Sequence, residues 1–119
     1  MLQITKLVFA ALTAFNVSKS GMLKGIYPIL APINVKHPFL VFKVEKSVDE
    51  TKSGVVDMFV EIAIVGLDHD ELCEIADEID DLFSNEHNFI FQSTTAGANP
   101  DYPDEKFFKT RFNIKMINK

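Results

Sequence analysis

Residues 39–64, FLVFKVEKSVDETKSGVVDMFVEIAI, decide the fold because two runs of alternating apolar residues flank a short polar segment. In the first run Leu40, Phe42 and Val44 fall on one side of an extended chain, and in the second every other residue from Val56 does so. The segment between them, DETKSG at residues 49–54, has the composition of a turn. The stretch therefore predicts a β-hairpin.

The predicted hairpin is long for a chain of 119 residues. An arm of about ten residues reaches about 33 Å at about 3.3 Å per residue, whereas a compact chain of this size has a radius of gyration of about 13–14 Å. Two interpretations stay open: the hairpin wraps over the core, or it forms an arm that contacts a neighbouring subunit or lines a pore. The second interpretation makes Asp49, Glu50 and Lys52 at the tip candidate interface residues.

Two helices are predicted, one on each side of the hairpin in the sequence. The first follows from apolar residues at helical spacing, namely Ile4, Leu7, Val8, Ala11, Leu12 and Phe15. A helix packed on a core explains this stripe; a cleaved signal peptide is the alternative, and residues 7–15 are too short to span a bilayer. The second helix runs from Asp68 to Phe83, with Asp68 as N-cap and Glu71 in a capping-box position.

Three further strands complete the predicted fold. The prolines after the first helix allow at most an edge strand at Ile26–Leu30. Strands at Asn88–Thr95 and Phe107–Ile117 flank a loop at residues 96–105. The order α-β-β-β-α-β-β predicts an α+β fold with an antiparallel-rich sheet, two packed helices and a long β-hairpin, in a single domain at residues 1–119.

Charge is segregated along the chain. Fourteen of the seventeen Asp and Glu lie between Ser53 and Glu105, and all twelve Lys and Arg lie outside that window. The net charge of −5 argues against direct nucleic-acid binding. Complementary acidic and basic faces of this kind suit head-to-tail self-association into a homo-oligomer.

The second helix and the last strand are the candidates for these faces. The helix has no Lys at the spacing that would compensate its acids, and the strand carries Lys109, Arg111 and Lys115 on the side opposite its apolar row. One sheet cannot bury its apolar face on the helix and also bring this basic row to it, so we expect contact between subunits; a solvated basic row is the alternative. The predicted acidic partners are Glu74, Asp77, Glu78 and Asp81.

No pattern of catalytic or cofactor-binding residues accompanies these features. The acidic helix lacks the wrapped set of oxygen ligands that Ca²⁺ requires, so no metal site is predicted. The glycines form no phosphate-binding loop, and Cys73 lies among acids that disfavour its thiolate. A lone cysteine forms no intrachain disulfide and is typical of a reducing cytoplasm. We therefore predict a protein that is not an enzyme and needs no cofactor.

Residues 26–42, IYPILAPINVKHPFLVF, resemble the phage tail terminator (tail-completion) protein family, in which an aromatic turn is followed by AP, by PF or PY, and by an apolar strand. The order of elements around this motif is similar too. A helix precedes it, a long hairpin follows Pro38, an amphipathic helix follows Gly66, and two strands finish the chain. The resemblance covers essentially the whole chain.

The resemblance implies a structural subunit of a phage or prophage tail, without enzymatic activity or cofactor. Such subunits form a ring, commonly a hexamer, that caps the tail tube, stops its polymerisation and joins it to the head-connector proteins. It implies assembly in the host cytoplasm and then a place in the virion tail, with no membrane partner. The alternative prediction is a small cytoplasmic ligand-binding α+β domain, in which a sheet rich in the eleven Phe encloses an apolar pocket.

Overall fold

The structure, a computed structural model, describes residues 2–31, 35–48, 56–87 and 89–114. Its elements in chain order are α1 (Leu2–Ser18), β1 (Ile26–Pro28), β2 (Phe39–Val48), β3 (Val56–Gly66), α2 (His69–Asp81), β4 (Ile90–Asn99) and β5 (Tyr102–Ile114). A π-helical turn, Leu82–Glu86, extends α2 and is called the π-turn below. The predicted α+β class and the predicted order of elements are confirmed.

The strands form one sheet in the order β1-β2-β3-β5-β4. β1 is parallel to β2, and the other neighbouring strands are antiparallel. The pairings also define rows across the sheet: Ile90 of β4 pairs with Asn113, Asn113 with Phe59, and Phe59 with Glu45 of β2. Ile90 and Glu45 therefore lie in the same row and on the same face of the sheet, near its two opposite edges.

Both helices pack on one face of the sheet, because the alternation along the strands sends large apolar side chains to that face. The helix-facing residues of β3 are Met58, Val60, Ile62 and Ile64, all at most 2% exposed. Phe112 of β5 is fully buried, and the ring centroids of Phe83, Phe89 and Phe91 lie 5.6, 6.4 and 6.2 Å from its own. This aromatic cluster joins the end of α2 to the edge strand β4.

The α1 residues buried on the sheet are Val8, Leu12 and Phe15, as predicted for a packed helix. Leu7, predicted in the same stripe, is instead 39% exposed, because it lies along a surface groove between α1 and the π-turn. In the last turn of α1, the side-chain amide of Asn16 donates to the Leu23 carbonyl at 2.9 Å, and its oxygen accepts from the Leu23 N–H at 2.8 Å. These two bonds fix the loop that leads to β1.

α2 begins where the sequence predicts. The carboxylate of its N-cap, Asp68, accepts the N–H groups of Asp70 at 3.0 Å and Glu71 at 3.5 Å, which satisfies two of the donors that a helix leaves unpaired in its first turn. The regular helix ends at Asp81 rather than at the predicted Phe83, because the next turn is π-helical. Phe83 lies in that turn and is fully buried.

The predicted loop at residues 96–105 is wrong. β4 and β5 continue through most of it, and Pro100 and Asp101 alone join them. Gly97 is a strand residue, and its missing side chain leaves room for the Phe107 ring, which lies 2.5 Å from the place where a Cβ would stand. The glycine thus makes room for a cross-strand aromatic ring, in a segment whose composition is typical of a loop.

Phe112→Ala should lower the free energy of unfolding by about 3–5 kcal/mol, the range for truncating a fully buried Phe. Phe91→Ala is the matched control, because the same atoms are removed from a side chain that is 44% exposed, and its loss should be clearly smaller. Urea denaturation measures both. A loss below about 1 kcal/mol for Phe112→Ala would contradict its place in the core.

Candidate assembly surfaces

α2 presents an acidic surface to the solvent. Its thirteen residues include seven Asp and Glu and no Lys or Arg. Glu74, Asp77 and Asp81 are exposed, whereas Glu78 is partly covered and pairs with Lys19, the residue after α1, at 3.0 Å. Like charges three or four residues apart on a helix repel by roughly 0.2–0.5 kcal/mol per pair. The acidic surface therefore favours a basic partner.

The sheet face opposite the helices, called the open face below, carries a ladder of charges across three strands. The carboxylate of Glu61 on β3 lies 3.6 Å from Lys43 Nζ on β2 and 3.8 Å from Lys109 Nζ on β5. Lys43 also pairs with Glu45 at 3.0 Å. The hydrogen bond to Glu45, followed by the charge of Glu61, raises the pKa of Lys43 above its ordinary value. The ladder therefore satisfies charges of both signs within one subunit.

The basic row predicted on β5 lies on this open face, but its described members have partners within the chain. Lys109 pairs with Glu61, and the Arg111 guanidinium lies 4.2 Å from the centroid of the Phe59 ring, over its face. α2 lies on the other face of the sheet, so the two predicted surfaces do not meet within one subunit. Their contact between subunits stays a prediction. The predicted interface residues Asp49, Glu50, Lys52 and Lys115 lie outside the described residues.

A cluster of side chains that the sequence did not predict ties the loop before β2 to β5. His37 Nε2 lies 2.8 Å from Glu105 Oε2, and the side-chain amide of Asn99 donates to Glu105 Oε1 at 3.2 Å. The hydrogen bond with His37, more than that from Asn99, lowers the pKa of Glu105 below its ordinary value, although partial burial opposes the shift. Since His37 and Glu105 are 68 positions apart, no local pattern could have predicted their contact.

β4 is exposed on both faces and along one edge. Eight of its ten side chains are exposed, and among the described residues no strand pairs with its outer edge. It contains no charged residue and no proline, the devices by which edge strands commonly avoid pairing with other chains. Ile90 and Phe91 are 47% and 44% exposed. β4 is therefore a further candidate assembly surface, which the sequence did not predict.

Cys73 and His69, one turn apart on α2, come nearest to a catalytic pair, with Sγ 3.7 Å from Nδ1. Desolvation, followed by the charges of Asp70 and Asp77, raises the pKa of the Cys73 thiol, which disfavours the nucleophilic thiolate. In the described part of the chain, no group of three or more His, Cys, Asp or Glu is placed to hold a metal ion. No helix described there has the length and apolar character needed to cross a membrane.

No protein-family model matches this chain, and no curated protein matches it. Its residues and their geometry are therefore what supports a function.

Glu61→Lys should lower the free energy of unfolding by about 1–2 kcal/mol, because two cross-strand attractions, each worth roughly 0.2–1 kcal/mol, become repulsions. Thermal denaturation measures the loss of stability. The loss should be smaller at about 1 M salt, because the screening length is then only about 3 Å. Glu74→Lys on the exposed side of α2 is the control, and it should leave stability unchanged or slightly raised. An equal loss in both variants would show that the ladder is not stabilising.

Ionisation of Glu105 should make stability depend on pH in the acid range. A carboxyl group whose pKa is lower in the folded protein contributes stability above its unfolded value and loses it as the pH falls through the folded value. Below about pH 4.5, the ordinary value for Glu105, the wild type should lose stability more steeply than Glu105→Gln. Urea denaturation at several pH values measures the slopes. Asp104→Asn, at an exposed neighbour, should follow the wild type, and a Glu105→Gln slope equal to that of the wild type would contradict the linkage.

Proposed function

We propose that this protein is a structural subunit of a phage or prophage tail, which assembles as a closed ring at the end of the tail tube, stops the growth of the tube and joins it to the head. The motif at residues 26–42 and the order of elements, both similar to tail terminator proteins, support this proposal. The observation that carries it is the sheet itself, which has helices on one face only and leaves the opposite face and the outer edge of β4 open among the described residues.

A ring subunit needs two different surfaces that fit each other, because contacts between unlike surfaces close into a ring when the rotation allows it. This chain has unlike surfaces by charge. Residues 1–44 contain five Lys and no Asp or Glu, whereas the window from Ser53 to Glu105 contains only acids among its charged residues other than His. Charges of this arrangement steer copies into a head-to-tail approach.

The hairpin formed by β2 and β3 gives such a ring a further contact. Its strands have ten and eleven residues, or about 33 Å at about 3.3 Å per residue. The described residues as a whole measure 45 × 32 × 23 Å. Because residues 58–66 of β3 pair with β5, the hairpin belongs to the sheet along most of its length. Only its end beyond Met58 is suited to reach a neighbouring subunit or the tail tube, and the predicted turn at residues 49–54 lies outside the described residues.

The alternative function, a ligand-binding domain with an apolar pocket, has less support. The aromatic cluster occupies the space between the end of α2 and the sheet, with Phe83 and Phe89 stacked at 5.2 Å. The groove along α1, of about 530 Å³, is lined in part by Leu7, Phe15 and Leu82 and lies at the surface. Ligand pockets usually enclose most of the surface of their ligand. A surface groove of this kind favours contact with another macromolecule over capture of a small molecule.

The proposal is tested by removing the gene from the phage or prophage that encodes it and examining the particles by electron microscopy. Loss of a terminator should give tails of irregular length that do not join heads, while head assembly continues. Supplying the wild-type gene from a plasmid should restore normal tails. Tails of normal length joined to heads in the deletion strain would overturn the proposal.

Replacing residues 49–54 with a two-residue turn should leave the protein folded but weaken tail termination, because the arm then falls short of its partner. Complementation of the deletion strain measures termination, and circular dichroism with thermal denaturation checks the fold. A six-residue Gly/Ser tip of the same length is the matched control, and it separates the effect of length from that of the tip side chains. Normal termination by the shortened protein would show that the tip is only a surface loop.

A further inference from the structure

The two edges of the sheet are open in complementary ways. At one edge, no described strand pairs with the outer side of β4. At the other, β1 pairs with β2 only at Leu40–Phe42, and among the described residues β3 is the only strand that pairs with residues 43–48 of β2. Each step from β2 through β3 and β5 to β4 is antiparallel, so β2 and β4 run in opposite directions. Copies placed side by side therefore bring β4 to β2 in the antiparallel orientation.

Exposed apolar residues stand at the same height at both edges. Ile90 belongs to the row that ends at Glu45, within the open part of β2. Ile29 and Leu30, directly after β1, are 77% and 80% exposed. The Ile29 N–H donates to the Phe42 carbonyl at 2.8 Å, which places these two residues beside the start of the open part of β2.

The backbone at Ile29 supports a role for this pair. Its φ of 69° is a conformation that β-branched residues rarely adopt, and the Leu30 N–H donates to the Pro28 carbonyl at 2.8 Å across it. This tight turn holds two aliphatic side chains in the solvent. Covering them with a partner removes apolar area from water, which is favourable.

Charge decides which edge of a second copy faces β4. α1, β1 and the start of β2 lie at one end of the sheet and contain no acid before Glu45. Lys43 there is paired with Glu45 and Glu61, whereas Lys6, Lys24 and Lys46 are exposed. At the other end β4 adjoins the turn at Asp101, Asp104 lies near the start of β5, and α2 lies over the neighbouring strands. The basic residues of β5 there, Lys109 and Arg111, are already engaged by Glu61 and Phe59. Pairing of β4 with β4 would bring acidic ends together, whereas pairing with β2 brings an acidic end to a basic one.

We propose that the start of β4, residues 90–92, adds to the open edge of β2 at residues 43–45 in a second copy of this chain, with Ile90 and Phe91 of one copy against Ile29 and Leu30 of the other. The contact is head to tail, and it continues the sheet from one subunit into the next. It deepens the proposed function, since it rests on the self-association of the ring and names the strands that form it.

The test is disulfide trapping in the purified protein. Two variants carry single cysteines, Ile90→Cys and Glu45→Cys, each in a Cys73→Ser background and with a different tag. In the proposed pairing the two new thiols lie opposite each other on the open face, where cross-strand Cβ atoms are about 4.5–5.5 Å apart. The mixture should form the mixed disulfide at least about tenfold faster than a mixture of Thr95→Cys and Glu45→Cys.

Thr95→Cys is the matched control because its row passes through Lys109 and Ala63 to Val41, which β1 already covers. Equal rates for the two mixtures would overturn the proposal. So would an Ile90→Cys protein that links to itself as fast as to Glu45→Cys, since this result would show that β4 pairs with β4. A chain that stays monomeric at concentrations up to about 1 mM, where even weak contacts of about 4 kcal/mol form, would overturn it as well.

A second variant measures the apolar contact without new cysteines. Leu30→Ser should weaken self-association about tenfold in sedimentation or light scattering. Val17→Ser is its control, because Val17 is 74% exposed on α1, outside the proposed contact, and it should associate as the wild type does. Equal association of all three proteins would contradict the contact at Leu30.

Failure of this inference is distinguishable from failure of the proposed function. Normal tail termination without the mixed disulfide would leave the function standing and overturn the strand pairing. A mixed disulfide in a protein whose deletion leaves tails normal would support the strand pairing and overturn the function.

Discussion

The packing of Phe83, Phe89 and Phe91 around Phe112 is the contact on which the rest of the structure depends. It joins the π-turn after α2, the start of β4 and the buried side of β5. Because β5 also pairs with β3, the cluster ties the second helix to the centre of the sheet. It also marks where the core ends, since Phe91 is only half-buried and the rest of β4 extends beyond the helices. The exposure of β4 is thus a consequence of where the aromatic core stops.

The sequence correctly predicted the strands and the helix that bury one apolar face in the core. Alternation in residues 39–64 predicted β2 and β3, and helical spacing with an N-cap at Asp68 predicted α2, because burial and local hydrogen bonding determine these elements. It could not predict that β4 and β5 continue through residues 96–105, where small and turn-forming residues are typical of a loop. Strand pairing and the Phe107 ring over Gly97 determine that region, and both depend on residues distant from the local pattern.

For the candidate surfaces, the sequence could predict which face a residue lies on but not which partner it has. Lys109 and Arg111 lie on the open face, as alternation along β5 requires. Their partners, Glu61 and Phe59, belong to β3, and the pairing depends on the register between the two strands. The same limit applies to His37 and Glu105, whose contact depends on how the loop before β2 lies against β5.

Charge segregation along the chain becomes segregation in space because the topology keeps α1, β1 and the start of β2 at one end of the sheet. Exposed ion pairs contribute only about 0–1 kcal/mol each, so unlike ends set the direction in which copies approach, while backbone pairing and apolar burial must supply the affinity. The open face already satisfies its charges through the ladder at Glu61. The outer edge of β4 has no such compensation, since its uncharged backbone groups pair with no described strand. Of these two surfaces, the outer edge of β4 is therefore the one whose covering lowers the free energy of the subunit more. The basic end of another copy is the surface whose charge, row position and strand direction fit this edge.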